Sequence, residues 1–305
     1  MRNDRRGRGA LLRPAIAAVW LLALLALAAT STRAADKEYA VKGMVLEVNR
    51  STRSFVVSHE TIDGFMQAMT MPFEVRDAAE LSSLVPGAVV TFTLVVGEST
   101  AYATRIQVQR YESVELDPLT AARLSLMKRI AGTSARRLSI GDRVPDFTLV
   151  DQRGGPVSFS SLRGKVVAVS FIYTRCALPQ FCVRMTNHFG VLQKRFRSRL
   201  GRELVLLTIS FDPERDTPEV MAAYASQWKP DPQGWRFLTG PVVDVRRVCD
   251  LFGVDYFSDD GLMSHSLRTA VIARDGSLVA NIEGNQFSPQ QLGDLVMTTL
   301  HRRAR

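Results

Sequence analysis

Cysteine is scarce in this chain. There are three in 305 residues, too few to staple a small secreted domain with disulfides. A basic excess is missing too once the start of the chain is set aside. Residues 1–34 carry six arginines and one aspartate, five of the nine net positive charges, so the remainder holds only +4. That excludes a nucleic-acid footprint. Long apolar runs are lacking as well: the stretch from Pro14 to Ala29 falls short of the about 20 residues that a full span needs. Nor is there the bias of a disordered chain, since 46% of residues are apolar and 23% charged, ordinary for a globular protein. The length fits one or two domains after any leader is removed.

That leader is legible. A basic segment ends at Arg13, the apolar stretch follows, and small residues run through Ala34 and Ala35. Residues 1–35 are expected to be a signal peptide cut near Ala34, the alternative being an uncleaved N-terminal anchor. Either way the rest of the chain is expected outside the cytoplasm: periplasmic, or on the outer face of a bacterial inner membrane.

From Tyr39 to about Tyr111 the pattern is β. KGMVLEVN and SFVVSHE flank the turn Arg50-Ser51-Thr52-Arg53, and Val90, Phe92, Leu94 and Val96 alternate onto one face. Short strands without a long helix predict a small all-β, OB-like barrel over residues 36–111. Residues 112–137 read as a short amphipathic helix and linker. From Leu138 onward apolar strand-like runs (Ala168–Tyr173, Leu204–Phe211) alternate with helical stripes. Met185, Phe189, Leu192 and Phe196 form one stripe. Val220, Tyr224 and Trp228 are expected on the next helix, after a start at Asp216-Thr217-Pro218-Glu219. A helix over Val242–Phe252 stops at Gly253, a hairpin turns at Arg274-Asp275-Gly276-Ser277, and Ser288-Pro289 opens the last helix. The order β-α-β-α-β-α-β-β-α over residues 138–305 predicts an α/β, thioredoxin-like sandwich, with PDFTLVDQRGGPVSF as an added hairpin before it.

Two stretches carry chemistry. In FIYTRCALPQFCVRM, Cys176 and Cys182 lie between a buried strand and a helix start, where backbone N–H groups and the helix dipole favour thiolate over thiol. A redox disulfide and a metal site are both open to such a pair. Cys249, in the stripe Val245, Val248, Cys249, Phe252, reads as a small buried hydrophobe. In HETIDGFMQAMTMPFEV, His59, Met66, Met69 and Met71 fall within thirteen residues. Thioethers are soft ligands that choose Cu(I) or Ag(I), and imidazole can complete the set. If the segment is extended, Met69 and Met71 share a face.

This second stretch, with Met69-Thr70-Met71-Pro72-Phe73, resembles the CusF-type periplasmic copper/silver-binding barrel. The resemblance implies a histidine and two methionines on Cu(I) under a tryptophan cap. Here Met66 stands where the tryptophan is expected, and the spacing from His59 to Met69 is one residue shorter. The later half resembles the Sco/SenC family through VPDFTLVDQRGGPVSFSSLRGKVVAVSFIYTRC, SFDPERDTPEVM, and SHS before a strand ending in ARDGS. That resemblance implies a thioredoxin fold binding copper, Cu(I) or Cu(II), through Cys176, Cys182 and His265, with Asp212 near the metal and no organic cofactor. It implies a metallochaperone rather than an enzyme. The partners would be cytochrome c oxidase subunit II, a thioredoxin-like reductant and other periplasmic copper carriers. The family spaces its cysteines by three residues, whereas five intervene here, so Cys176 is expected on a longer loop. Two alternatives stay open: a thiol–disulfide or peroxide-reducing enzyme, although neither Cys-x-x-Cys nor Thr-x-x-Cys occurs, and a copper or silver detoxification buffer.

Overall fold

The computed structural model describes residues 36–109, 122, 126, 137–178, 180–259 and 262–302. The leader expected at 1–35 lies outside them, as does the linker helix at 112–137 apart from Ala122, Leu126 and Arg137. Among the described residues no helix is long and apolar enough to cross a membrane.

Five antiparallel strands come first: β1 (Lys37–Asn49), β2 (Ser54–His59), β3 (Met69–Glu74), β4 (Val89–Val96) and β5 (Ala101–Val108). Their order is β3-β2-β1-β4-β5. Val75, just past β3, bridges back to Ala103 of β5, so the ribbon curls into a barrel. Side chains fill the inside, led by Phe55, Phe73 and Phe92, whose rings meet at 4.9–5.9 Å. On β4 the expected alternation places Val90, Phe92 and Leu94 in that interior, although Val89 and Val95 on the opposite face are buried as well. It fails on β1: residues 43–46 are buried on both faces, because Met44 and Leu46, with Val89, join the core of the second unit instead. Gly87 makes that approach work. At φ +86°, a Cβ there would lie 2.9 Å from Ala280 and from Ile282, so both backbone and space demand glycine.

The second unit is a seven-stranded sheet in the order β14-β13-β8-β9-β10-β6-β7. β6 (Thr148–Asp151) and β7 (Pro156–Ser158) are the added hairpin. The centre is β8 (Val166–Ile172) and β9 (Leu204–Ser210), parallel and buried along their whole length. β10 (Trp235–Thr239) runs parallel to β9, and β13 (Arg268–Ile272) with β14 (Leu278–Glu283) completes the other side. Among the described residues four helices cover it: α1 (Cys182–Arg195), α2 (Pro218–Ala225), α3 (Val242–Phe252) and α4 (Pro289–His301). Three of their ends are ones that the sequence marks. Thr217 caps α2, Gly253 in the left-handed conformation ends α3, and Ser288 with Gln291 forms a capping box on α4.

One expectation needs correction. Val220 does not face the core; it is exposed, while Met221, Tyr224 and Ala225 are buried, and α2 ends before Trp228. The cap at Thr217 sets the phase of that short helix one residue away from the expected stripe. An unforeseen hairpin, β11 (Tyr256–Asp259) with β12 (Leu262–His265), precedes β13. Its strands are short and mixed in polarity, so period-two burial leaves no trace in the sequence.

Candidate metal centre

β13 is antiparallel to β8, with Thr269 opposite Ser170. The start of β13 therefore lies beside the end of β8. His265, the last residue of β12, arrives where the chain leaves β8 through Tyr173-Thr174-Arg175 toward Cys176. Open α/β sheets gather ligands at this carboxyl edge of the parallel strands. The Sγ atoms of Cys176 and Cys182 and a ring nitrogen of His265 all lie within 4.8 Å of one another. No other such group of three or more His, Cys, Asp or Glu side chains occurs among the described residues.

The two cysteines are held differently. Cys182 is the first residue of α1 and fully buried, while Cys176 sits half-buried on the preceding loop. Neither is in a disulfide. Phe181 at the helix N-cap provides no side-chain cap, so the orphan N–H groups of the first turn remain to be satisfied. The Cys182 N–H turns to the Cys176 sulfur. Hydrogen bonds from the Cys182 thiol, then from His265 and that N–H, outweigh burial and bring Cys176 down to about 4. Cys182 goes the opposite way: its bond to Cys176 and its burial raise it well above an ordinary thiol. The pair thus shares one proton, held on Cys182. The thiolate-favouring helix start serves the loop cysteine rather than the helical one.

Alkylation should display that division. Iodoacetamide is expected to modify Cys176 of the metal-free, reduced protein at a rate nearly flat from pH 6 to 8, where an ordinary thiol with pKa of about 8.5 accelerates almost in proportion to hydroxide. Peptide mapping of labelled protein reads this directly; a tenfold rise per pH unit at Cys176 would contradict the assignment.

Tyr173 completes the surround. Its buried hydroxyl, raised to about 12 first by burial and then by the charge on Cys176, accepts from the Met263 N–H and donates to Cys176. It therefore ties the hairpin that carries His265 to the thiolate. The His265 ring stands edge-on to Tyr173 at 5.7 Å and packs against Phe211 at 4.7 Å. Its Nδ1 lies 3.1 Å from the Ser266 carbonyl, an outer contact that fixes the ring and leaves Nε2 for the centre.

Asp212 is not part of the convergent group. Its buried carboxylate pairs with Arg175 at 2.9 Å and Arg215 at 3.6 Å, so it steadies the loop from outside. The carboxylate that the sequence did not single out is Asp216. It is fully buried and accepts from the Thr174 N–H (3.0 Å), Thr174 Oγ1 and Ser210 Oγ (2.5 Å each). Its charge also adds to the forces that keep Cys182 protonated, behind the Cys176 bond and burial. Cys249 is fully buried, and that burial pushes its thiol upward. His188 is packed against Phe287 and lowered to about 4 by burial.

In the barrel, His59 stands opposite Met69, and Val57 opposite Met71, across the β2–β3 ladder. Opposed side chains share a face, so His59, Met69 and Met71 lie on the inward side at one end of the barrel. Met66, bridged to Ile62, and Met71 pack against the barrel core, whereas Met69 is 52% exposed. The His59 ring is 2% exposed. Its Nδ1 donates to the Glu60 carbonyl at 2.7 Å, and its Nε2 has no hydrogen-bond partner. A buried ring nitrogen without a partner is costly unless something binds it. Both imidazoles set Nδ1 against a backbone carbonyl, but they differ at the other nitrogen: His265 hydrogen-bonds the Cys176 sulfur, whereas His59 Nε2 has no partner. Such donor sets, two thiols with imidazole and thioethers with imidazole, suit a soft metal, Cu(I) above all.

Comparison with known proteins matches two stretches of the chain. A family model described as SCO1/SenC matches residues 138–300, and one described as the copper binding periplasmic protein CusF matches residues 38–108. A SCO1 protein homolog of Bacillus subtilis is 32% identical over 122 residues, 40% of this chain and 62% of that protein. The mitochondrial protein SCO1 of Saccharomyces cerevisiae is 30% identical over 141 residues, 44% of this chain and 46% of that one. The matched segment therefore spans less than two thirds of either relative. Among solved structures, Bradyrhizobium japonicum ScoI with copper bound is 27% identical with a TM-score of 0.43, covering 53% of this chain and 99% of that one. Yeast Sco1 with copper bound is 26% identical with a TM-score of 0.46, covering 55% and 91%.

Proposed function

The chain belongs to the SCO1/SenC family, and from that premise we propose that it is an exported copper-binding metallochaperone with two separate sites. Copper is its cargo. The carrying observation is the meeting of Cys176, Cys182 and His265 within 4.8 Å at one sheet edge. Two sulfurs and an imidazole serve both copper oxidation states, the sulfurs favouring Cu(I). Cys176 enters as a thiolate and Cys182 gives up its proton on binding. The half-buried Cys176 and His265 leave the centre open to a partner's ligands, which ligand exchange needs. The acceptor we propose is the copper centre of cytochrome c oxidase subunit II. The cysteines must be reduced to load, which calls for a thioredoxin-like reductant.

His59, Met69 and Met71, with Met66 in place of an aromatic cap, form the second, Cu(I)-selective site. Cys182 opens α1, and Arg195, which lines the cleft beside His59 and Met69, closes it. Thirteen helical rises separate their Cα atoms, about 20 Å, so the two sites lie toward opposite ends of that helix.

Anaerobic titration of the reduced protein with Cu(I), against a chromophoric competitor, should reach two equivalents. His265→Ala is expected to weaken one site and Met69→Ile the other, each leaving its counterpart intact. A reduced protein that takes up no Cu(I) would sink the proposal.

One observation favours a second reading. A thiolate at Cys176 beside a protonated Cys182 is the arrangement of an attacking and a resolving thiol. In that case Cys176 attacks a substrate disulfide, and Cys182 closes an intramolecular disulfide as the substrate leaves with two electrons and its protons. Rapid turnover of dithiothreitol and a disulfide substrate, without copper binding, would establish it instead.

A further inference from the structure

The barrel does not hold its His59–Met69 pair unaided. Side chains alternate along β2 and β3, so the neighbouring pair, Ser58 opposite Thr70, points outward, and α4 of the second unit lies there. One carboxylate spans both strands: Asp294 Oδ2 accepts from Ser58 Oγ at 2.7 Å and from Thr70 Oγ1 at 3.2 Å. Its other oxygen takes Arg195 at 2.6 Å. Gln291, buried in the first turn of α4, donates to the Ser58 carbonyl at 3.3 Å. Arg195 also donates to the Gln290 carbonyl at 3.1 Å. Gly293 makes room for this. A Cβ there would stand 2.4 Å from Arg195 Nη1, which accounts for a glycine that a helix interior otherwise disfavours by about 1 kcal/mol.

Position within the ladder gives the clamp its significance. His59↔Met69 is the last pair of the β2–β3 ladder, and Ser58↔Thr70 is the pair before it. Ladder ends open most readily. A slip of one residue there would turn Met69 and Met71 to the other face. A carboxylate bonded to one hydroxyl on each strand fixes the register where the soft ligands begin. One cleft is lined by Ser58, His59, Met69, Arg195, Gln291 and Asp294, so the clamp and the first soft ligands border the same space.

We propose that Asp294, on the second unit, is a positioning residue for the His59–Met69 site of the barrel, so that metal binding by the barrel is coupled to its docking on α4. The inference rests on the reading of that barrel as a Cu(I) site. Coupling is reciprocal: what docking gives to metal affinity, metal must return to docking.

The test uses the full chain with Cys176→Ser and Cys182→Ser, which leaves the barrel as the soft-metal site. Cu(I) is titrated against a competitor, and amide exchange is followed in residues 288–294 with and without Cu(I). Asp294→Ala is expected to weaken Cu(I) binding roughly tenfold, at the lower edge of what loss of an outer-shell partner costs. Cu(I) should slow exchange at 288–294 in the parent, but not in Asp294→Ala or His59→Ala. Should Asp294→Ala misfold, Ser58→Ala with Thr70→Val removes the same bonds from the barrel side. If the parent binds no Cu(I), or His59→Ala leaves binding unchanged, the barrel reading itself fails. If His59→Ala weakens binding while loss of the Asp294 bonds alters neither affinity nor exchange, the coupling is overturned and the barrel site stands.

Discussion

Cys176→Ser will lower the Cu(I) affinity of the second unit by well over the roughly 10–100-fold that loss of an outer hydrogen-bond partner costs. The substitution removes a ligand already in its binding form, since Cys176 is brought down to about 4 by Cys182, His265 and the first-turn N–H. A hydroxyl in its place is neither soft nor anionic at neutral pH. The remaining Cys182 loses the first cause of its raised pKa, the bond to Cys176, but keeps the second, its burial. It must still release a proton to bind metal. Proton counting separates this account from simple loss of a sulfur. In the wild-type protein near pH 7, Cu(I) uptake at this site should expel about one proton, because metal ligands must be deprotonated and only Cys182 retains its proton. Calorimetry in two buffers of different ionisation enthalpy measures that number. Release of two protons would mean that Cys176 is an ordinary thiol in the free protein. Below about pH 4 both sulfurs carry protons, so affinity should fall more steeply with acid there than between pH 5 and 8.

Asp216→Ala is expected to cost the fold about 3 kcal/mol, the largest stability effect of a single polar substitution near the site. The carboxylate is fully buried and receives three hydrogen bonds from Thr174 and Ser210. Alanine would leave the Thr174 N–H and two hydroxyls unsatisfied, each of which costs about 1–3 kcal/mol when it cannot reach water. For a unit of this size the melting temperature should fall by about 10 °C. Asp216→Asn keeps an acceptor and should recover part of that loss. Because Thr174 starts the loop that carries Cys176, the alanine variant should also broaden the copper absorption bands while binding persists. A melting temperature within 1–2 °C of wild type would show that the buried network is dispensable.

How much of this was legible beforehand differs between elements. The apolar strands β8 and β9, the cap at Ser288, the stop at Gly253 and the stripes of α1 and α3 follow from local patterning, which survives in any context. The barrel was legible for the same reason on its inner face. Its outer face was not. Met44, Leu46 and Val89 break the alternation because a second surface covers them, and no local pattern encodes what another unit will bury. The phase of α2 escaped for a related reason: Val220 and Met221 are both apolar, and only the cap and the sheet beneath decide which one turns inward.

The candidate site divides likewise. Residue type and order alone singled out Cys176 with Cys182 and the histidine–methionine set of the barrel, since soft donors in a chain so poor in cysteine draw attention by chemistry; His265 entered only through the resemblance of its surroundings to the Sco/SenC family. Only the tertiary structure decided what those residues are to one another. The antiparallel register of β13 on β8, and a short hairpin without a sequence signal, bring His265 to the sulfurs across more than eighty residues. Hydrogen bonds from Cys182, then from His265 and the uncapped helix start, make Cys176 the thiolate. A buried aspartate four residues from the expected one fixes the turn. An acid on α4 grips the barrel strands from outside. Apart from the bond between the two cysteines, each of these joins segments distant in sequence; all are set by packing and by the need to satisfy buried polar groups, and neither cause has a period that a single chain can display.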